Sequence, residues 1–265
     1  MPKISVIMGV YNTEKYLKEA IESILSQSLQ DFEFIICDDG SLDGSVSIIN
    51  DYMKKDPRII LIRNDKNRGL AASLNRCLEV ASGEYIARMD SDDISVEDRF
   101  MKQANFLDLH PEYAIIGGGI SLFDHKGIYG HRYGKEDFSK EQVFIGNFFI
   151  HPTVMMRRSV LIDVGGYTVD KHTYRTEDYD LWCKIAYHGY KGTNLKDILL
   201  LYREGRDSYS KRKFKYRIDG ARLRYKWFKK FNLPLRYWPY ILKPIFVGLI
   251  PKGIVQNYHR KKYSI

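Results

Sequence analysis

The sequence predicts an α/β fold in which a doubly wound, mostly parallel sheet is followed by a basic helical extension. Short apolar strand patterns alternate with amphipathic helix patterns through the first half of the chain, which is typical of a sheet covered by helices on both faces. Charge is distributed unevenly as well. Residues 202–265 hold 18 Lys and Arg but 3 Asp and Glu, a formal charge of +15, whereas residues 1–201 carry −6. An acidic body therefore precedes a basic tail.

Strands and helices alternate strictly between residues 4 and 87. The predicted strands span residues 4–10, 32–37, 59–62 and 85–87. The predicted helices span residues 13–28, 44–55 and 69–81, where apolar side chains recur at three- and four-residue spacing. Later elements are less regular: helices are predicted at 98–110 and from 176, strands at 114–123 and 199–202, and a turn that leads into a strand at 151–156.

Polar residues follow all four early strands. They are Tyr11-Asn12, Asp38-Asp39, Asn64-Asp65 and Asp90-Ser91-Asp92. Ligands of open α/β sheets bind beyond the carboxyl ends of the strands, so these groups are expected to line one crevice. Solvated loops also collect Asp and Asn by chance, which is the alternative explanation.

The acidic stretch after the fourth strand is the strongest single signal. Asp90, Asp92 and Asp93 fall within four residues, and their charges repel one another unless a cation lies between them. Mg²⁺ prefers one or two carboxylates together with phosphate oxygens, so the stretch predicts a metal beside a nucleotide diphosphate. The alternative is a solvated loop that caps the next helix.

Composition excludes several classes of protein. With 44% hydrophobic residues the chain can bury a full core, and three widely spaced cysteines argue against a disulfide framework and for a reducing compartment. No run of 18 apolar residues is present, so no transmembrane helix is expected. The first residues predict a strand rather than a signal peptide.

Residues 3–203 resemble the family 2 glycosyltransferases, which have the GT-A fold. Five stretches carry the resemblance in the family's order: residues 5–12, 38–45, 67–70, 83–93 and 177–182. The tail, through Asn232-Leu233-Pro234-Leu235 and Lys243-Pro244, is similar to the bacterial exopolysaccharide-operon members of the family, of the EpsE type.

The resemblance implies a nucleotide pocket at the strand ends. Tyr11 and Asn12 would line it, and Asp39 would accept a hydrogen bond from the uracil imide N–H. Asp38 is the neighbouring candidate for that role. Arg68 would lie near the pyrophosphate or the base.

The resemblance also implies a DxD motif at Asp90 and Asp92. Asp92 would bind Mn²⁺ or Mg²⁺ directly, and Asp90 would face the ribose or the metal. Asp93 and Glu177 are candidates for contacts with the donor sugar or the acceptor. A divalent cation would stabilise the charge that develops on the leaving diphosphate.

Asp178 matches the catalytic base of the family, which implies an inverting hexosyl or N-acetylhexosaminyl transfer. A carboxylate can remove the proton of the acceptor hydroxyl as that oxygen attacks the sugar. Its alternative role is to cap the helix and complement its dipole. Glu177 and Asp180 are the fallback bases.

One departure from the family concerns a histidine that many relatives carry after the equivalent of Tyr202-Arg203. This chain has Glu204-Gly205-Arg206 at that place, and His151 is a candidate substitute. The Gln-x-x-Arg-Trp signature of processive synthases is absent, so one sugar is expected to be added per encounter.

The expected organisation is a glycosyltransferase domain, residues 1–203, and a tail, residues 204–265. The domain divides into a nucleotide-binding half, 1–97, and an acceptor half, 98–203. Residues 210–231 are basic with interleaved aromatics, and residues 237–250 are apolar but interrupted by prolines, which suits a bilayer interface.

The expected partners are a nucleotide sugar, favouring UDP, a lipid-linked glycan, and the inner face of the cytoplasmic membrane. The protein is expected to be cytoplasmic and peripheral at that face, and nucleic acid is not expected as a partner. The tail could instead cover a sheet edge, form a homodimer contact or bind a protein. A regulatory protein that binds an acidic partner is the competing function. A sugar nucleotidyltransferase is disfavoured because residues 9–12 do not form the required Gly-rich, Arg-containing loop.

Overall fold

A computed structural model describes residues 1–146, 148–204 and 214–264, which form a mixed sheet with helices on both faces. The strands are β1 (Ile4–Val10), β2 (Phe32–Asp38), β3 (Ile59–Arg63), β4 (Tyr85–Asp90), β5 (Ile94–Ser95), β6 (Tyr113–Asp124), β7 (Gly127–Arg132), β8 (Met155–Arg157) and β9 (Lys191–Arg203). The helices are α1 (Glu14–Leu25), α2 (Ser45–Met53), α3 (Leu70–Val80), α4 (Arg99–Leu109), α5 (Lys140–Ile145), α6 (Arg158–Asp163), α7 (Glu177–Tyr187), α8 (Lys215–Lys230), α9 (Pro239–Leu249) and α10 (Lys252–Tyr263).

The strand order is β3-β2-β1-β4-β8-β6-β9-β5, with β7 paired to β6. The first four strands in this order are parallel, so their carboxyl ends meet at one edge. The register sets Gly9 beside Asp90 and Val10 beside Asp38. The second half is mixed, because β8 runs antiparallel to both β4 and β6, whereas β9 runs parallel to β6.

Two apolar cores cover the two faces of the sheet. Ile4, Val6 and Met8 point to the core that contains α1, α2 and α4, whereas Ile7 points to the core that contains α3 and α7. This alternation follows from the two-residue period of a strand. The three cysteines are buried and free, each within the apolar interior.

The early strands and helices predicted from the sequence are confirmed, but the second half needs corrections. The strand predicted at 199–202 is the end of the 13-residue strand β9. Its first half, residues 191–197, carries polar side chains and is held by backbone pairing with β6, so it lacks an apolar pattern. Helix α5 and strand β7 were not predicted, because both are short and largely polar.

The described part of the tail packs on the body. Leu223, Trp227, Phe231 and Ile241 are buried in the same core as α7. The last helix, α10, reaches β7, where Gly130 bridges to Ser264. Residues 205–213, which include the start of the basic aromatic stretch, lie outside the described residues. Within the described part of the chain, no helix has both the length and the apolar character that crossing a membrane requires.

A buried hydrogen bond ties the tail to α7. The Nε1 of Trp227 donates to Oδ1 of Asp180 over 2.7 Å, and Asp180 is fully buried. The other carboxylate oxygen, Oδ2, accepts from Thr168 Oγ1 over 2.5 Å. Because a buried carboxylate is strongly destabilising without donors, this pair fixes α8 against α7.

Trp227→Phe should lower the free energy of unfolding by about 2 to 3 kcal/mol, because it removes a hydrogen bond to a buried charge. Urea denaturation measures the change. The control is Trp238→Phe, since Trp238 is 47% exposed, and its effect should stay within about 0.5 kcal/mol. Equal effects of the two substitutions would show that the bond to Asp180 does not hold the tail.

Candidate functional site

A cavity of about 370 Å³ opens at the carboxyl ends of β1 and β2. Four segments line it: residues 9–11, Asp39, residues 67–73 and parts of the segment 168–177. Gly9 has no side chain where a Cβ would lie 2.9 Å from Leu70 Cδ1, so α3 approaches β1 closely. Of the residues predicted for the site, Tyr11, Asp39, Arg68 and Glu177 line this cavity.

Asp39 organises the wall formed by residues 64–69. Its Oδ1 accepts from Asn64 Nδ2 at 2.7 Å and from the backbone N–H of Arg68 at 2.8 Å, and its Oδ2 accepts from the N–H of Gly69 at 2.8 Å. A carboxylate offers about four acceptor positions, so these three bonds leave one for a ligand N–H.

Asp38 and Asn12 brace the loops beside the cavity rather than line it. Asp38 is fully buried, and its carboxylate oxygens accept from the N–H of Ser41. Asn12 has a φ of +53°, and its Oδ1 accepts from the N–H of Leu42 at 2.8 Å. These contacts join the ends of β1 and β2 into one rim.

Cationic side chains occupy one wall of the cavity. Arg68 is half-exposed there, and Lys171 and Arg175 line it from the segment before α7. Residues 168–175 carry no periodic pattern, so the sequence did not indicate a role for them. Their positive charges suit an anionic ligand such as a diphosphate.

The acidic cluster lies next to the cavity, where Asp90 pairs with Gly9. One carboxylate oxygen from each of Asp90, Asp92 and Asp93 lies within 4.8 Å of the others. Asp93 is buried, with Oδ1 accepting from the N–H of Arg203 at 2.8 Å and Oδ2 having no hydrogen-bond partner in the described structure. Hard oxygen donors and an unpaired buried oxygen fit a divalent cation.

Electrostatics at this cluster also favour a bound cation. Burial raises the pKa of Asp92 to about 6, and the charge of Asp90 adds to the rise. Burial likewise raises the pKa of Asp93 well above its ordinary value, with further contributions from Asp90 and Asp92. A divalent cation would reverse both effects because it stabilises the ionised carboxylates.

Arg88, for which the sequence indicated no role, lies next to the cluster. It is 2% exposed, and its Nη2 donates to Oδ1 of Asp90. Its Nε and Nη1 have no hydrogen-bond partner among the described residues. Its positive charge acts against the rise in the pKa of Asp92, Asp93 and Glu177. The sequence did contain a signal for this pairing. Arg88 is a charged residue in an apolar strand, two positions before Asp90, and residues two apart in a strand lie on the same face.

Glu177 and Asp178 open α7 at the cavity's edge. Burial raises the pKa of Glu177 to about 7, and the adjacent charge of Asp178 adds to the rise. Oδ1 of Asp178 accepts from the N–H of Tyr179 at 2.8 Å within the first turn of α7, where a carboxylate complements the helix dipole, while the N-cap residue, Thr176, makes no side-chain capping bond. Asp180 is fully buried on the tail side of α7, so it does not reach the cavity.

Tyr167 and His151 connect the two groups of carboxylates. Burial raises the pKa of Tyr167, and the charges of Asp178, Glu177 and Asp90 all contribute to the rise. The Tyr167 hydroxyl lies 2.9 Å from Nε2 of His151. Burial, with the charge of Arg88, lowers the pKa of His151 well below its ordinary value, so this histidine is neutral and packed.

The segment after Tyr202-Arg203, where many members of the family carry a histidine, is only partly described by the structure. Glu204 accepts a hydrogen bond from the Tyr129 hydroxyl. The Nε of Arg203 donates a hydrogen bond to the backbone oxygen of Asp92 at 2.9 Å. Gly205 and Arg206 lie outside the described residues.

Residues 5–165 match the family profile of Glycosyl transferase family 2. The chain is 43% identical over 262 residues to EpsE of Bacillus subtilis (strain 168), named as a glycosyltransferase, with 98% of this chain and 94% of EpsE covered. It is 32% identical to WfaP of Escherichia coli, named a UDP-Glc:alpha-D-GlcNAc-diphosphoundecaprenol beta-1,3-glucosyltransferase, over 81% of this chain and 82% of WfaP.

A solved structure shares the fold. S. aureus TarS 1-349 in complex with UDP-GlcNAc superposes on this chain with a TM-score of 0.71 and 21% identity. The superposition covers 91% of this chain and 70% of that one.

Arg88→Met should lower the free energy of unfolding by about 3 kcal/mol or more at pH 7 without metal, because it removes a buried positive charge from among carboxylates. Mn²⁺ should then raise the melting temperature of this variant by more than that of the wild type, since the ion replaces the lost charge. Thermal unfolding with and without Mn²⁺ measures both effects.

The matched control is Arg99→Met. Arg99 is also fully buried, but it bonds to Gln103 and to backbone oxygens rather than to a carboxylate. Its loss should destabilise the fold without enlarging the response to Mn²⁺. An equal Mn²⁺ response in Arg88→Met and the wild type would contradict the role of Arg88.

Glu177→Gln should change stability in a pH-dependent way. With a native pKa near 7 against an ordinary 4.5, the native carboxyl keeps its proton in that interval while the unfolded one ionises. The loss of folding stability caused by ionising the buried Glu177 is therefore absent below about pH 4.5 and complete above about pH 7. Relative to the wild type, Glu177→Gln should gain about 2 kcal/mol more at pH 8 than at pH 5.

Urea denaturation at the two pH values measures this difference. Glu79→Gln, on the exposed face of α3, is the control and should change stability equally at both. A pH-independent effect of Glu177→Gln would rule out a buried, proton-holding Glu177.

Proposed function

This chain is a glycosyltransferase of family 2 with the GT-A fold, and from that premise we propose that it transfers a sugar from UDP to a hydroxyl of a growing, lipid-linked glycan. One observation carries the proposal. A cavity with a cationic wall adjoins three clustered carboxylates, and Glu177, which precedes Asp178 at the start of α7, lines the same cavity. The glycan in this proposal is an exopolysaccharide, capsule or O-antigen, and the name of one relative, the O-antigen biosynthesis glycosyltransferase WbnJ of Escherichia coli, supports this class.

The donor binds, in this proposal, with its base at Asp39 and its diphosphate along the cationic wall. The fourth acceptor position of Asp39 takes the imide N–H of uracil, and Tyr11 borders the base. Arg68, with Lys171 and Arg175, offsets the diphosphate charge. The name of WfaP, which states a UDP-Glc donor, supports uridine over other bases.

Asp90, Asp92 and Asp93 would hold Mn²⁺ or Mg²⁺ beside the diphosphate. When bound, the ion supplies positive charge where the leaving group becomes more negative. Arg88 orients Asp90 by occupying Oδ1, so Oδ2 remains for the ion or the ribose. Oδ1 of Asp93 accepts from the backbone N–H of Arg203 at the end of β9, which fixes the carboxylate in place. Its Oδ2 has no hydrogen-bond partner in the described structure and would face the ion.

Asp178 acts as the general base. It takes the proton of the acceptor hydroxyl while the acceptor oxygen bonds to the anomeric carbon and the bond from that carbon to the diphosphate oxygen breaks. Attack opposite the leaving group inverts the anomeric carbon. Glu177 lines the cavity beside it and contacts the donor sugar or the acceptor; its pKa of about 7 also suits proton transfer near neutral pH.

A lipid-linked acceptor places the enzyme at the inner face of the cytoplasmic membrane. The name of WfaP states a diphosphoundecaprenol-linked acceptor, which supports this class. The basic residues of 204–265 would then face anionic headgroups. A homodimer or protein contact through the same residues is the competing assignment.

Calorimetric titration with UDP, GDP and dTDP, each with and without Mn²⁺, tests the donor site. The protein should bind UDP, and Mn²⁺ should raise its affinity for UDP. Asp92→Asn should lose the gain from Mn²⁺, whereas Asp178→Asn should retain UDP binding and lose about 10²-fold or more of the transfer rate. Asp51→Asn, an exposed carboxylate on α2, is the control for both.

Binding of GDP or dTDP in preference to UDP would overturn the uridine assignment alone. Failure to bind any nucleotide would overturn the transferase site and favour a regulatory protein that acts through its basic tail.

A further inference from the structure

Four cations gather at the carboxyl end of α5, away from the cavity lining. Arg224 Nη1 donates to the carbonyl of Phe144, Lys243 Nζ donates to that of Ile145 at 3.2 Å, and Lys135 Nζ donates to Gln142 Oε1 at 2.8 Å. Lys262 of α10, whose charge acts on Lys243, is the fourth member of this group, which we call the α5 cation cluster. Among the described residues, no carboxylate forms an ion pair with any of the four.

The mutual repulsion within this cluster is visible at Lys243. Burial lowers the pKa of its ammonium group, and the charges of Arg224, Lys135 and Lys262 lower it further. Four like charges brought together without a counter-ion are unfavourable unless an anion joins them. Several Lys and Arg donors close together suit the oxygens of a phosphate group.

An apolar edge adjoins the cluster. On α9, Lys243 and Phe246 are three residues apart, so they lie on the same side of the helix, and Leu249 follows Phe246 by three residues. Phe246, Leu249 and Ile254 are 60%, 66% and 60% exposed. Apolar side chains exposed beside cations are typical of helices that lie in the headgroup region of a bilayer.

We propose that the α5 cation cluster binds headgroup phosphates of an anionic bilayer while the edge formed by Phe246, Leu249 and Ile254 enters the interface. This deepens the membrane placement in the proposed function and requires nothing of the donor site. The formal charge of +15 on residues 202–265 complements such a surface. A nucleic acid would neutralise the cations but leave the apolar edge in water, so a bilayer accounts for both features.

Vesicle co-sedimentation of the full chain tests the proposal. Vesicles of phosphatidylcholine with phosphatidylglycerol should bind the protein, and vesicles of phosphatidylcholine alone should bind it weakly. The double variant Lys135→Gln/Lys243→Gln should bind the anionic vesicles about 25-fold more weakly, since each interfacial cation is worth about fivefold. Phe246→Ser/Leu249→Ser should also weaken binding by about tenfold or more.

The matched control removes the same charge elsewhere. Lys18→Gln/Lys55→Gln replaces two exposed lysines of the body and should change vesicle binding less than about threefold. UDP binding with Mn²⁺, measured on every variant, shows that the fold and the donor site are intact. Loss of vesicle binding with UDP binding retained therefore assigns the effect to the cluster.

Four outcomes would overturn the proposal, the last being self-association. The first is equal binding to the two kinds of vesicle, and the second is an equal loss in the control variant. The third is displacement of the protein from vesicles by inorganic phosphate at constant ionic strength, which would make the cluster a site for free phosphate. Concentration-dependent self-association without vesicles, abolished by Phe246→Ser/Leu249→Ser, would instead assign the apolar edge to a second copy of the chain. Each of these results leaves the proposed transferase activity standing.

Discussion

Carboxylate crowding is the constraint on which the rest of this structure depends. Asp90, Asp92 and Asp93 lie close together, and burial raises the pKa of Asp92, Asp93 and Glu177, so these carboxylates require positive charge nearby when they are ionised. Strand β4 supplies part of it through Arg88, and the end of β9 contributes the backbone N–H of Arg203. A catalytic ion and an anionic donor would complete the balance, because each compensates a charge that the protein leaves partly unsatisfied.

Helix α7 connects this region to the rest of the molecule. Its first residue, Glu177, lines the cavity with Asp178 next to it in the chain, and two residues after Asp178 the buried Asp180 bonds to Trp227 in the core. The same short helix therefore carries a reactive end and a structural anchor. The basic tail is thus part of the framework that sets the position of the candidate base, besides offering a surface of its own.

The sequence predicted the parallel half of the fold well, because apolar periodicity and strand-end polarity are local signals. It also predicted the acidic cluster, since three carboxylates in four residues are unusual at any strand end. Arg88 was missed because its role depends on which side chains β4 and α7 bring together. Residues 168–175 were missed because an irregular segment becomes a cavity wall only through tertiary packing. The packing of Trp227 on Asp180 was missed for the same reason, as 47 positions separate the two.

The bond between Trp227 and Asp180 has a consequence for how the enzyme becomes active during synthesis. A ribosome releases the body of the chain before α8, so the nascent protein holds Asp180 without its indole donor, and the core beside α7 lacks Leu223, Trp227 and Phe231. A chain that ended before α8 would therefore leave the Asp180 carboxylate without its indole donor and one side of α7 without its apolar cover, so the position of the candidate base depends on residues about 50 positions further along the chain.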